Sequence, residues 1–219
     1  MPLKNITGFM CQKLLDEVST QGKIKTAIEL KATLNNIFKM AIRHGIIQSN
    51  PIDIVFIENH ASEHGKALTK EQEKLLLTST KDTPFQLMFA VGLYTGMRPN
   101  EYSSAKIEGD FIVAINSKRK NGKVEYKRIP IIPMLKPYLE NVKELKFYVI
   151  NRIREKLHTI LPQNRLYDLR TTFYTRCQEC GVAEVARNEF VGHSLGVLDD
   201  TYTDLSDEFL LKEGAKLNW

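Results

Sequence analysis

Leu166-Tyr167-Asp168-Leu169-Arg170-Thr171-Thr172-Phe173, running on to Val191-Gly192-His193-Ser194 and closing on Asp200-Thr201-Tyr202-Thr203, is the stretch from which the rest of the chain can be read. It carries an arginine, a histidine and a tyrosine. These side chains can hold a phosphate, share a proton with it and attack it, a set suited to chemistry on a phosphodiester. The apolar spacing predicts a helix from Asp168 to Cys180 ended by Gly181, then a second from Ala183 to Val191 ended by Gly192.

Upstream lies a second box, Tyr94-Thr95-Gly96-Met97-Arg98-Pro99-Asn100-Glu101. Between the two boxes, Phe111 to Ile115 and Val124 to Ile132 are rich in β-branched residues and flank Asn121-Gly122, a two-residue hairpin signal. The segment from Lys118 to Arg128 holds Lys118, Arg119, Lys120, Lys123, Lys127 and Arg128 against the single acid Glu125. Such a hairpin cannot balance its own charge, which points to a phosphate backbone as its partner.

Together, in this order and with a basic hairpin between them, the boxes resemble those of the tyrosine recombinases, also called the phage integrase family. Arg170 follows Tyr167 by three, His193 sits in a Val-Gly-His-Ser version of the second motif, and Tyr202 lies nine positions after His193, as in the family. Thr95-Gly96-Met97-Arg98-Pro99-Asn100-Glu101 looks like the family's Thr-Gly-x-Arg-x-x-Glu. The resemblance covers nearly the whole chain.

It implies a mostly α fold with a small antiparallel β-sheet (α+β), a tyrosine recombinase catalytic domain preceded by a partial helical core-binding domain. The boundaries expected are 1–57 for the binding domain, 58–66 for a linker and 67–219 for the catalytic domain with a C-terminal tail helix. Residues 1–57 are short for a binding domain of this family. Part of that domain, and any arm-binding domain, is expected outside this chain.

The resemblance also implies roles. Tyr202 is the nucleophile, Arg98 and Arg170 clamp the phosphate, His193 donates to it or assists proton transfer, and Glu101 supports Arg98. A hairpin lysine, Lys118 or else Lys120, protonates the leaving oxygen. Tyr167 stands where histidine is commonest; it can donate a hydrogen bond but carries no positive charge. No metal, ATP or other cofactor is implied. The expected partner is double-stranded DNA at an attachment-like site, bound by a homotetramer that is monomeric in free solution.

Composition is compatible with this but does not require it. The 219 residues include 31 Lys+Arg and 26 Asp+Glu, a net charge of +5. That excess favours a polyanionic partner only modestly. No run approaches the roughly 18 apolar residues of a membrane span, and the N-terminus has no signal-peptide core, so a cytoplasmic protein without membrane contact is expected. Three cysteines argue against a disulfide framework. Cys177 and Cys180 fall inside a helical pattern with no second pair, and His60 and His64 lie in the polar linker with no third ligand.

Taken in order, Thr7 to Thr20 and Ile24 to His44 read as helices, the second carrying Ala27, Leu30, Leu34, Ile37, Phe38 and Ala41 at helical spacing. Thr69-Lys70-Glu71-Gln72 is a capping box, Thr83-Pro84 opens a helix ended by Gly96, and Arg98-Pro99 begins another, whose N-terminus would welcome an anion. Helices are also expected from Pro133 through Leu145, from Ile150 to Leu161, and from Leu205 to Leu217.

Each site residue alone has an ordinary structural reading. Arg170 could pair with Asp168, His193 could cap a helix, and Tyr202 could be a packed tyrosine. The joint spacing favours a site-specific recombinase of a phage or mobile element, cutting and rejoining DNA through a 3′-phosphotyrosine. The rivals are a type IB topoisomerase-like transferase and a non-catalytic DNA-binding regulator on the same fold.

Overall fold

Thr7 and Thr69 start helices as their sequence suggests. The Thr7 hydroxyl accepts from Met10 N at 3.3 Å, and Thr69 and Gln72 exchange side-chain and backbone bonds in a full capping box. The computed structural model describes residues 1–58, 65–117, 124–193 and 205–219. The chain divides into two compact units, Met1–Glu63 and His64–Trp219.

In the first unit, α1 (Gly8–Thr20) and α2 (Ile24–Arg43) pack as a helical hairpin around Cys11, Leu15, Ala27, Phe38, Ile52 and Val55. Gly8 is needed for close approach: a Cβ there would lie 2.5 Å from the Ile54 side chain and 2.9 Å from the Pro51 carbonyl oxygen. Gln12 fastens the following segment, accepting from Phe56 N at 2.9 Å and donating to Phe56 O at 2.8 Å. Lys31 is spent internally, donating to Val55 O.

The second unit is built on α4 (Pro84–Thr95), whose residues from Met88 onward are buried all round. Against it lie α3 (Lys70–Thr78), α6 (Ile150–Ile160) and α7 (Asp168–Glu179). An antiparallel sheet in the order β1-β2-β3 is formed by Lys106–Glu108, Phe111–Ile115 and Tyr126–Pro130. Helix α8 (Glu184–Val191) packs on β3. The fold is therefore mostly α with one small antiparallel sheet.

Three local expectations change. Beyond Pro133 only one turn of helix forms, α5 (Lys136–Leu139). Glu140 turns extended and Asn141 adopts φ +64°, a conformation Asn tolerates and a helix does not. The apolar residues that suggested a longer helix enter the core from extended chain instead, Leu145 directly and Phe147 by stacking on Tyr102 at 5.1 Å. Arg98-Pro99 opens a six-residue 3-10 turn, Pro99–Ser104, rather than an α-helix. Strand β1 was not expected; it pairs with β2 across the two-residue Gly109-Asp110 turn, with Gly109 at φ +59°.

The tail forms α9 (Asp207–Ala215) and packs on its own unit, burying Leu210 and Leu217. Trp219 meets Tyr94 edge-on at 5.6 Å and donates to Glu73 Oε2 at 2.8 Å. Gly214 lets α9 approach the sheet, since a Cβ there would fall 2.5 Å from Cγ of Pro130. Glycine inside a helix ordinarily gains stability on replacement by alanine. Gly214→Ala is expected to do the reverse, losing about 1–3 kcal/mol through overpacking against a rigid ring. Urea unfolding checks this, and a stabilised variant refutes it.

Candidate active site

The first box becomes a hinge. Helix α4 stops at Gly96, whose φ of +61° only glycine adopts freely and whose missing Cβ would fall 2.4 Å from Phe173. Met97 is buried, and Arg98 is extended with its guanidinium turned inward. The 3-10 turn brings Glu101 back beneath it. Glu101 Oε2 accepts from the Arg98 backbone N at 2.8 Å, and Oε1 accepts from Arg98 Nη1 at 2.9 Å. Nη1 also reaches Asn116 Oδ1 at 3.1 Å at the end of β2, and Nη2 donates to Gly192 O at 3.3 Å.

The second box supplies the other half. Arg170, on the first turn of α7, is buried and donates from Nη1 to Gly96 O at 2.8 Å, while Nη2 lies 2.9 Å from His193 Nε2. Helix α8 ends at Gly192, φ +64°, and His193 N closes the turn on Asn188 O at 2.9 Å, which swings the imidazole onto Arg170. Because a guanidinium only donates, Nε2 must accept, so the His193 proton sits on Nδ1 in this arrangement. Each arginine is thus held by a carbonyl from the other box, Arg98 by Gly192 and Arg170 by Gly96.

Arg170 does not pair with Asp168, which accepts instead from Arg165 N at 2.9 Å. Burial lowers the Arg170 pKa and Arg98 lowers it further, signs of two cations held close in a poorly solvated place. Glu101 is the counter-charge. Burial alone would raise its carboxyl, but the Lys127 ammonium and the bonds from Ser117 and Arg98 prevail and bring it to about 2. Its contribution to stability is therefore present above the ordinary carboxylate range and is lost as pH falls towards 2. Glu101→Gln is expected to be less stable than the native chain at pH 7, with the gap closing on acidification; a gap that stays constant from pH 7 to 2 contradicts this.

Of the predicted site residues, the structure brings Arg98, Glu101, Arg170 and His193 together. Tyr167 stands at the rim, 46% exposed, its ring 6.0 Å from the Arg170 guanidinium. Lys118, Arg119, Lys120, Lys123 and Tyr202, with His60 and His64, lie outside the described residues. Two members of the basic hairpin differ from the expectation of a backbone-facing row. Lys127 alternates with Arg128 on β3 and is turned into the core, 1% exposed, so it is removed from any DNA surface. Arg128 lies over the Phe111 ring at 4.3 Å and forms a two-pronged ion pair with Asp207 of α9. Cys177 and Cys180 are free thiols. Among the described residues no cluster of three His, Cys, Asp or Glu side chains is placed to hold a metal.

Sequence reasoning missed Asn116 and the two glycine carbonyls, because backbone acceptors and a strand-end amide leave no compositional signal. It could have found Lys127. The period of two along Tyr126-Lys127-Arg128-Ile129 puts Lys127 on the same face as the buried Ile129.

No protein-family model matches the chain, and no curated protein matches it in sequence. Solved structures do match it in fold. Lambda integrase (a 75–356 fragment) bound to DNA superposes with a TM-score of 0.72 at 16% identity, over 98% of this chain and 84% of that one. The Tn1549 transposon integrase in complex with circular intermediate DNA gives 0.64 at 18% identity, over 97% and 86%. A lambda integrase tetramer bound to a Holliday junction gives 0.70 at 17%, over 93% of this chain and 66% of that longer one. The chain has the fold of these tyrosine recombinase integrases.

Proposed function

We propose that this chain is a site-specific DNA recombinase of the tyrosine type, serving integration or excision of a phage or other mobile element. The observation that carries the reading is the pair of arginines, buried yet braced from both boxes, with His193 on Arg170. Arg98, Arg170 and Lys127 against Glu101 leave a surplus of two positive charges, a cradle suited to one phosphodiester.

In that cradle Tyr202 Oη attacks phosphorus, forming a P–O bond to tyrosine as the P–O5′ bond breaks. The arginine forks stabilise the negative charge that builds on the non-bridging oxygens, and their fixed planes match those oxygens. His193, whose Nε2 carries no proton in this arrangement, assists proton transfer by taking up the proton that Tyr202 Oη releases on attack. A hairpin lysine, Lys118 or Lys120, delivers a proton to the departing 5′-oxygen. Attack by another strand's 5′-hydroxyl reverses the steps and joins new partners, with no net loss of a phosphodiester and no need for ATP. Tyr167 adds a hydrogen bond at the rim. The working assembly is a homotetramer on two duplexes, monomeric in free solution, each protomer having residues 1–57 as a partial core-binding domain, 58–66 as a linker and 67–219 as the catalytic domain. Among the described residues no helix is long and apolar enough to cross a membrane; a cytoplasmic location is part of the proposal.

The test is covalent trapping on nicked duplexes whose short 5′ fragment diffuses away after cleavage. An SDS-resistant adduct with the native chain and none with Tyr202→Phe is the expected result. Salt-sensitive duplex binding without any adduct would instead favour a DNA-binding regulator on the same fold.

A further inference from the structure

Lys127 is a lysine whose ammonium lies in the interior of the catalytic unit. It sits on the inner face of β3, with Nζ 2.5 Å from Glu101 Oε2 and, among the described residues, no hydrogen-bond partner beyond that ion pair. A charge buried this deeply is costly unless its partner needs it.

Glu101 is that partner, and its two oxygens divide the load. Oε1 accepts from Arg98 Nη1, from Ser117 N at 3.1 Å and from Ser117 Oγ at 3.0 Å. Oε2 takes the Arg98 backbone N and the Lys127 ammonium. With Arg98 as its sole cation, the carboxylate would orient the guanidinium and cancel its charge together. With Lys127 present, the neutral pair is Lys127–Glu101, and Arg98 stays positive beside Arg170.

We propose that Lys127 is a positioning residue of the arginine site: by pairing with Oε2 it fixes the Glu101 carboxylate and takes up its charge, so that Arg98 is held in register while keeping its positive charge for a phosphodiester. The substrate named here rests on the strand-transferase reading; the charge arrangement does not. Lys127 itself touches no phosphate, because its burial keeps Nζ from reaching one.

The groups acting on Lys127 are Glu101 and Arg98 from the 3-10 turn and Arg170 from α7; Lys127 in turn acts on Glu189 of α8, which Glu125 just before β3 also reaches. The neighbouring Arg128 is paired with Asp207 of α9. Burial lowers the Lys127 pKa, Glu101 partly restores it, and Arg170 and Arg98 lower it again, to about 8. The cluster therefore loses one positive charge as pH rises through that value.

The experiment follows adduct formation on nicked duplex in single turnovers as a function of pH, with the native chain, Lys127→Arg and Lys127→Met. The native rate should fall on the alkaline side with a midpoint near the value to which Lys127 is pushed, about 8. Lys127→Arg, which stays charged, should lose that limb. Lys127→Met should be about 10- to 100-fold slower at neutral pH, without the limb and with duplex affinity unchanged. An alkaline limb that persists in Lys127→Arg overturns the proposal.

A second readout does not depend on turnover. The Arg98 Nε–H signal of arginine-labelled native protein should move over the same pH range and stay still in Lys127→Arg; a native signal that does not move also overturns it. If the native chain forms no adduct, the strand-transferase reading fails, and the arginine signal alone decides the role of Lys127. That arm also stands if Lys127→Met does not fold.

Discussion

Arg170→Lys is expected to lower the rate of adduct formation by about 10²- to 10³-fold, with duplex binding little changed. The charge is kept, so long-range attraction to DNA survives. What is lost is the fork. The native guanidinium reaches Gly96 O with one nitrogen and His193 Nε2 with the other, in one plane fixed by both. A single ammonium on a flexible stem cannot make both contacts and still present donors to two phosphate oxygens. The buried Gly96 carbonyl or the imidazole would go unpaired, and His193 would lose the contact that fixes its ring. Single-turnover trapping on nicked duplex measures the effect. A lysine variant as fast as the native chain would refute the assignment of Arg170 as a phosphate clamp.

Arg176→Ala is expected to be the most damaging change to stability, at about 3–5 kcal/mol. Arg176 ties α7 to α3 and to the segment before it: Nε and Nη2 bind Glu73 Oε1 at 3.0 and 2.7 Å, Nη2 also donates to Leu68 O at 3.0 Å, and Nη1 pairs with Glu179 of its own helix at 2.7 Å. Among the described residues, truncation leaves the buried Glu73 carboxylate with the Trp219 indole as its one remaining side-chain donor. For a unit of this size the melting temperature should drop by about 10 °C. The double variant Arg176→Met with Glu73→Gln should recover much of the loss, since removing both charges avoids the uncompensated one. Thermal unfolding of the three proteins tests this, and equal losses in the single and double variants would contradict it.

The meeting of Arg98, Arg170 and His193 is more legible in the sequence than the framework that holds them, because their spacing is tied to helix ends at Gly96 and Gly192. The helix expected beyond Pro133 failed because apolar residues at helical spacing also suit an extended chain dropping single side chains into a groove, and Asn141 decided between the two. Strand β1 escaped notice because three residues carry too short a pattern, although Gly109-Asp110 signalled its turn. Lys127 belongs to the basic run by charge, but its alternation with Arg128 on β3 puts it inside with Ile129. Arg176 offered no sign at all, since its importance comes from Glu73 and Leu68, about a hundred residues earlier in the chain.

The exchange of carbonyls between the two boxes has a further meaning for the recombinase proposed above. Gly96 and Arg170 are 74 positions apart, and Arg98 and Gly192 are 94 apart. Only the Glu101 contact to Arg98 is local; the carbonyl that completes each clamp comes from the other box, so a nascent or partly melted chain completes neither. On that proposal, competence to cut arrives only when both boxes have come together. The arrangement then acts as an interlock, and a half-made copy stays silent toward DNA.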